Sequence, residues 1–395
     1  MLFSGLFAQN FCLFAFLYFC KSTLNLRRLH IALAIAFTCL LIASGCQESK
    51  GKLRMAQPSW LDNQYARGFR LGTQDQDSFL LVLDPGNGDT LGQFQWGPNA
   101  YSGYTHLDAR LRIASGSGVI SGLLSALKCQ ERIVAVDQRS YQPHLVQIRE
   151  DLVQFSLGGS FNRDALIQSE PDLLLHYFFE SGSREEIERL QPHIPVVWIQ
   201  NYREAHPLAK SEWLRAIGFL LGHYPKADSL FSDISQRYQQ LAQRSLKPRP
   251  VFCNLPYSGT WAFPGGKSYL GTLIRDAGGI PIWPQSEGSE SVVLGIEEAA
   301  QLLEENPGSL WIHPGDCPDW DCVVERAPRI MKQSAWLPSR MAQCDKGDFA
   351  GQVNRWYNEG GVRPDRLLSD LQHLTQDTAI QAEDLYFYRC LSPQP

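Results

Sequence analysis

No long run of Lys or Arg occurs anywhere in the 395 residues, and the formal net charge is -5. Binding a phosphate backbone takes clustered cations, so nucleic acid is excluded as the main partner. Charged residues are few, at 19%, against 44% hydrophobic. That balance belongs to a folded globular chain and excludes disorder outside the termini. There is no low-complexity segment and no internal repeat at solenoid period. The Gly-x-Ser-x-Gly elbow, the His-Glu-x-x-His helix and any dense carboxylate cluster are missing too. No nucleophile or acid–base pair stands out in the loops, so nothing argues for catalysis.

What is present begins with a leader. Lys21, Arg27 and Arg28 precede an apolar run over 31–42, which ends in Ala43-Ser44-Gly45-Cys46. A basic segment, a short apolar segment and small residues before a cleavage point form a signal layout. The run is short for a membrane span of about 20 residues. Its end resembles a bacterial lipobox, in which Cys46 becomes the lipidated first residue; Ala43 stands where Leu is commoner. The expectation is an exported chain, lipid-anchored on the periplasmic face of a membrane or at the cell surface. Another apolar stretch, 1–20, precedes this leader. Beyond it lie Cys129, Cys253, Cys317, Cys322, Cys344 and Cys390. In an oxidising compartment the close pair Cys317 and Cys322 is the easiest to join. A zinc reading of His313, Cys317 and Cys322 lacks a second two-ligand knuckle.

The length suggests two lobes. Residues 1–46 read as leader and 47–60 as a polar tether. Residues 61–225 read as an N-lobe opening on a β-hairpin, with strands over 68–71 and 78–83 and turn chemistry at Gly86-Asn87-Gly88-Asp89. From residue 110 short apolar strands alternate with helices, which implies a mostly parallel sheet. A helix over 226–246, with Ala227, Leu230, Phe231, Ile234, Tyr238 and Leu241 on one face, sits mid-chain and bridges to a C-lobe over 247–395.

Two motifs imitate nucleotide sites. Gly116-Ser117-Gly118 with Gly122 follows a strand, and Asp137 ends the next, but the spacing departs from the dinucleotide form. Gly265-Gly266-Lys267-Ser268 looks like the end of a P-loop, yet Trp261 occupies the position of its first glycine.

Several stretches carry a family resemblance. They are Arg132 to Asp137 with Gly158-Gly159 and Glu170 to Leu174; His206-Pro207-Leu208 with Glu212-Trp213 and Gly222; and Gly259-Thr-Trp261, Pro264 to Leu270, Asp276 to Gly279 and Glu359 to Asp365. In order and spacing they resemble the ABC-importer binding proteins for iron-siderophore complexes and cobalamin, from about Leu111 onward. The resemblance implies an α/β fold: two α/β lobes joined by one long helix, with the ligand cleft between lobes. It implies capture of an iron complex, siderophore or haem, with a corrinoid as the alternative ligand, and delivery to ABC importer membrane subunits. It also implies a monomer with no cofactor and no enzymatic role. An exported enzyme or a scaffold lipoprotein are the competing classes. An exposed acid on each lobe would meet the importer: Asp164, and Asp276, since Arg275 stands where the family usually has an acid.

Ligands of α/β lobes sit beyond the carboxyl ends of strands. That rule selects Arg139, Tyr141, Phe161, Tyr177 and Tyr202 in the N-lobe. In the C-lobe it selects Tyr257, Trp261, Trp283, Trp356 and Tyr357. Aromatic faces suit a large flat or greasy ligand, and Arg139 suits the acidic groups of a ferric chelate. The 10 Trp residues fit a binding cleft. His176 and His313 each end a strand, one per lobe, and are the candidates for holding a metal ion.

Overall fold

The computed structural model describes residues 55–107, 111–157, 160–177, 183–191, 193–282, 288, 290–331, 340–346, 355–376 and 384–393. The lipobox and Cys46 lie outside them. The described chain opens on a sheet rather than a lone hairpin. Strands β1 (Ser59–Leu61), β2 (Phe69–Gln74), β3 (Asp77–Leu83) and β4 (Thr90–Trp96) pair antiparallel in sequence order, and β5 (Thr105–His106) adds parallel to β4. Period-two alternation puts Phe69, Leu71, Leu80, Val82 and Phe94 into the main core. On the opposite side Phe79 meets the edges of Tyr101 and Tyr104, each at 5.1 Å. Both sides of this sheet are therefore partly covered by aromatic and apolar groups.

The N-lobe follows as β6 (Ile113–Ser115), α1 (Gly118–Ala126), β7 (Ile133–Val136), α2 (Pro143–Ile148), β8 (Val153–Gln154), β9 (Ser156–Leu157), β10 (Ser160–Phe161), α3 (Arg163–Gln168), β11 (Leu173–Tyr177), α4 (Ser183–Glu188) and β12 (Val196–Ile199). The main sheet is parallel, in the order β12-β11-β6-β7-β8. Leu173, Leu174 and Leu175 are fully buried in succession, as strands covered on both faces require. Ser117 and Asn162 cap α1 and α3 by accepting from the amides of Ile120 and Ala165.

Two helices lead out, α5 (Pro207–Leu220) and α6 (Tyr224–Ala242). Helix α6, about 28 Å long at 1.5 Å per residue, is the bridge expected mid-chain. Its face of Ala227, Phe231, Ile234 and Tyr238 is buried. The C-lobe continues with β13 (Arg249–Cys253), β14 (Thr260–Phe263), α7 (Tyr269–Asp276), β15 (Gly279–Pro281), β16 (Val292–Gly295), α8 (Ile296–Glu305), β17 (Leu310–Ile312), α9 (Trp320–Arg326), α10 (Pro328–Met331), β18 (Arg340–Gln343), α11 (Arg355–Glu359), α12 (Pro364–Thr375) and β19 (Arg389–Leu391). Its sheet runs β15-β13-β17-β18-β19, parallel except for β19. Helix α12 packs back on α6, with Gln372 donating to the carbonyl of Leu241 at 2.8 Å. Cys317 and Cys322 are joined in a disulfide. Both sulfurs are spent there, so the zinc reading fails.

One helix ties the leading sheet to the lobe. Glu212 on α5 is fully buried and accepts from the backbone amides of Gln64, Tyr65 and Ala66 at 2.7, 2.8 and 2.7 Å, and from Arg215 at 2.8 Å. Glu204, just before α5, accepts from the amides of Arg67 and Gly68 and from the indole of Trp213. Replacing Glu212 with Ala strands three amides and leaves Arg215 with Asp228 and Tyr224 as its remaining side-chain partners. We expect Glu212→Ala to lose about 3–5 kcal/mol of stability, read from urea unfolding. A loss below about 1 kcal/mol would show that the carboxylate is dispensable.

Candidate functional site

Strand order fixes where a ligand can enter. From β6 the chain steps to β7 and β8 on one side, then returns to β11 and β12 on the other. The crevice of the N-lobe therefore opens beyond the carboxyl ends of β6 and β11. By the same rule the C-lobe crevice lies beyond β13 and β17.

At the N-lobe crevice Tyr177 ends β11 and meets Tyr202 edge-on at 5.1 Å. Its hydroxyl is hydrogen-bonded with Ser117 and Asn201, and burial pushes its pKa far up, so it stays a neutral phenol. His176 is turned the other way. Its Nδ1 lies 2.8 Å from the carbonyl of Tyr177, its ring sits edge-on to Trp198, and burial lowers its pKa. It is a packed, neutral imidazole. Arg139 donates to the carbonyls of Glu150 and Leu152 at 3.0 and 2.7 Å, so its guanidinium is committed to its own lobe. Phe161 packs edge-on against Phe155. The side chain of Tyr141 lies outside the described residues.

At the C-lobe crevice both strands end on a left-handed, non-glycine residue: Asn254 at φ 67° and His313 at φ 53°. Such backbone is costly and concentrates at sites where geometry matters. His313 stacks on Tyr388 with Nε2 2.5 Å from its hydroxyl, and Trp356 of α11 stands edge-on to the imidazole at 4.6 Å. Burial depresses the His313 pKa to about 4. Tyr257 is 80% exposed, on the loop leaving β13, where Ser258 and Gly259 form a two-residue turn with positive φ at both positions. Tyr357 is also exposed on α11.

Trp261 corrects the expectation. It is fully buried in a second core with Phe263 and Trp311, and its indole N–H donates to the carbonyl of Cys253 at 2.8 Å. Its alternation along β14 points it inward, so it presents no face to a ligand. Trp283 lies outside the described residues. Asp276 is corrected as well: it is half-buried and accepts a hydrogen bond from Tyr238 of α6 at 2.5 Å. It ties the bridging helix to α7 rather than standing free. Asp164 is exposed in the first turn of α3.

Two side chains of this region were not legible from local pattern. Tyr388 immediately precedes β19 and stands at no strand's carboxyl end; the antiparallel return of β19 beside β18 brings it, fully buried, to His313. Lys210 on α5 lies over the ring of Tyr269 on α7 at 4.1 Å, and burial lowers its pKa to about 8. Among the described residues no three His, Cys, Asp or Glu side chains gather as a metal site.

A family model described as periplasmic binding protein matches residues 113–322, just over half of the chain. The chain belongs to this family. Periplasmic binding proteins are exported and bind solutes rather than transform them, so the enzyme alternative falls. The leading sheet precedes the matched residues. An uncharacterized protein of Methanocaldococcus jannaschii is 24% identical over 136 residues, 33% of this chain and 41% of that one; the match spans less than half of that relative. Among solved structures, a possible iron-binding (periplasmic solute-binding) protein of Staphylococcus epidermidis is similar at TM-score 0.50 and 15% identity, over 67% of this chain and 98% of that one. A periplasmic heme binding protein from Pseudomonas aeruginosa gives 0.52 and 17%, over 72% and 99%. A periplasmic binding protein from Veillonella parvula gives 0.53 and 11%, over 74% and 97%. These likenesses establish the fold: two α/β lobes and a bridging helix.

The pKa of His313 generates a prediction for this periplasmic binding protein. Its folded pKa of about 4 lies below the ordinary 6.5. The stability this residue contributes is therefore full above about pH 6.5 and is lost progressively as pH falls toward 4, because the unfolded chain takes a proton that the folded one refuses. We expect His313→Gln to lose less stability than wild type between pH 7 and 4.5 in urea unfolding. Equal losses would place the acid sensitivity elsewhere.

Proposed function

We propose that this chain is the monomeric solute-binding protein of an ABC importer, held at the membrane by lipid on Cys46, and that it captures an iron complex between its lobes. The observation that carries the reading is the set of neutral aromatic side chains at both crevices. Tyr177 and Tyr202 line one, and Tyr257 and Trp356 flank the other, with Trp356 backed by the buried ring of Tyr388. Such walls suit a large ligand with apolar or π-rich surface and add no competing charge. Two of the similar structures, a possible iron-binding protein and a heme binding protein, support an iron complex, siderophore or haem. The basic-apolar-small-Cys leader supports the anchor. The leading sheet belongs with the N-lobe in this reading, with 226–246 as the joint and 247–395 as the C-lobe.

The test is a titration of intrinsic Trp fluorescence with ferric siderophores, haem and cobalamin. A saturable change with an iron complex is expected, and Tyr257→Ala weakens it by about 1 kcal/mol or more, roughly fivefold. Saturation by cobalamin alone would transfer the reading to a corrinoid. An unchanged Kd in Tyr257→Ala would remove that loop from the site.

Asp164 remains the docking residue we propose, since it is exposed at a helix start; Asp276 is held by Tyr238 and is not proposed again. Charge reversal in Asp164→Lys should abolish importer-dependent uptake with ligand affinity unchanged, because like charges facing at an interface are costly. Uptake at the wild-type rate would remove Asp164 from the docking surface.

A further inference from the structure

Beside the cleft a groove of about 410 Å³ follows helix α1. Gly118 and Gly122 of α1, Gln142 and Leu145, and Arg355 and Arg363 of the C-lobe are among the residues that line it. Its volume lies in the range of small-molecule sites, about 300–1,000 Å³. Its lining adjoins the cleft residues along the chain: Gly118 follows Ser117, which bonds with Tyr177, and Arg355 precedes Trp356, which stands against His313.

Its polar groups are unevenly spent. Arg363 gives both arms of its fork to Asp365, at 2.8 and 2.7 Å. Arg355 has nothing comparable. It lies 3.7 Å from Glu359, 3.5 Å from the carbonyl of Tyr386, and 4.3 Å from the centre of the Tyr386 ring. Charge-assisted hydrogen bonds run to about 2.7–2.9 Å, so the five donors of this guanidinium are largely unused. Gln142, also in the lining, is 2% exposed. Its Nε2 donates to Asp137 at 2.9 Å, while its Oε1 is buried and has no hydrogen-bond partner. A buried amide oxygen without a donor is costly and rare.

We infer that this groove is an annex of the cleft that takes an acidic, chain-like arm of the captured complex, with a carboxylate of the arm on Arg355 and an N–H or O–H of the arm donating to Gln142. The inference rests on the iron-complex reading above and narrows it to elongated chelates bearing a carboxylate arm. The nine residues of α1 span roughly 13 Å, which sets the length of arm that fits.

The test uses matched ferric complexes, one pair with a tris-hydroxamate head and one with a tris-catecholate head, each ending in an N-acetyl or an N-succinyl arm. The wild-type protein is expected to bind the succinyl member at least fivefold more tightly for a head it accepts. Arg355→Gln is expected to abolish that preference while leaving the acetyl member's Kd and the unfolding midpoint unchanged. Equal affinity for both members of a pair that binds would overturn the annex and leave the iron-complex reading standing. A preference that persists in Arg355→Gln would overturn the role given to Arg355. Binding of neither pair, with haem also inert, would overturn the iron-complex reading and the annex with it.

Discussion

Two carboxylates on one side of α5 hold the first half of the molecule together. Glu204 and Glu212 collect the backbone amides of five consecutive residues, Gln64 to Gly68, in a region nearly closed to water. A carboxylate in that position is expensive to bury and is tolerable only because its oxygens are saturated with donors. The arrangement works in one geometry alone. If the leading segment slid by a residue, the amides would miss the oxygens and the cost of burial would return uncompensated. The leading sheet is thus registered on α5 by electrostatics, with the apolar face of β2, β3 and β4 completing the contact. After the turn at Leu221 to His223, α6 packs back on α5, so the leading sheet, the N-lobe and the start of the bridge all rest on α5.

What joins that half to the C-lobe is narrower. Helix α6 contributes Tyr238 to Asp276, and α12 returns to α6 through Gln372. Helix α11 carries Trp356 against His313 on one side and Asn358 against α1 on the other. For a single helical bridge with such side contacts only modest closure is expected. Ligand capture then depends on walls already formed, and preformed aromatic walls cost little entropy to present.

The alternation of strand and helix, the long mid-chain helix and the strand-end loops were all legible, because each rests on local periodicity or on glycine and proline punctuation. The leading sheet was half legible. Strand β3 is apolar and alternates, whereas β4 reads Thr-Leu-Gly-Gln-Phe-Gln-Trp and becomes a strand through pairing with β3. Trp261 shows the other limit. Gly259-Thr-Trp261 has a loop-like context, which suggests a wall, but β14 begins at Thr260, directly after the turn at Ser258 and Gly259, and carries Trp261 inward opposite Leu294. A one-residue shift in a strand exchanges its faces. Asp276 failed for a different reason: only tertiary packing puts Tyr238 of another helix beside it.

The glycines that imitate a dinucleotide site have a physical explanation of their own. In a nucleotide fold such glycines let a pyrophosphate approach backbone. Here a Cβ on Gly116 would fall 2.3 Å from the ring of His176, so that glycine makes room for a side chain of the neighbouring strand. A Cβ on Gly122 would fall 1.9 Å from the carbonyl oxygen of Asn358, which belongs to the C-lobe. Backbone is approaching backbone, but the approaching group comes from the other lobe of the same protein rather than from a cofactor. That contact is also what places α11 across α1, and so positions Arg355 over the groove and Trp356 over His313. Gly116 thus serves packing within the N-lobe, and Gly122 serves the contact between the lobes beside which the cleft and the groove lie.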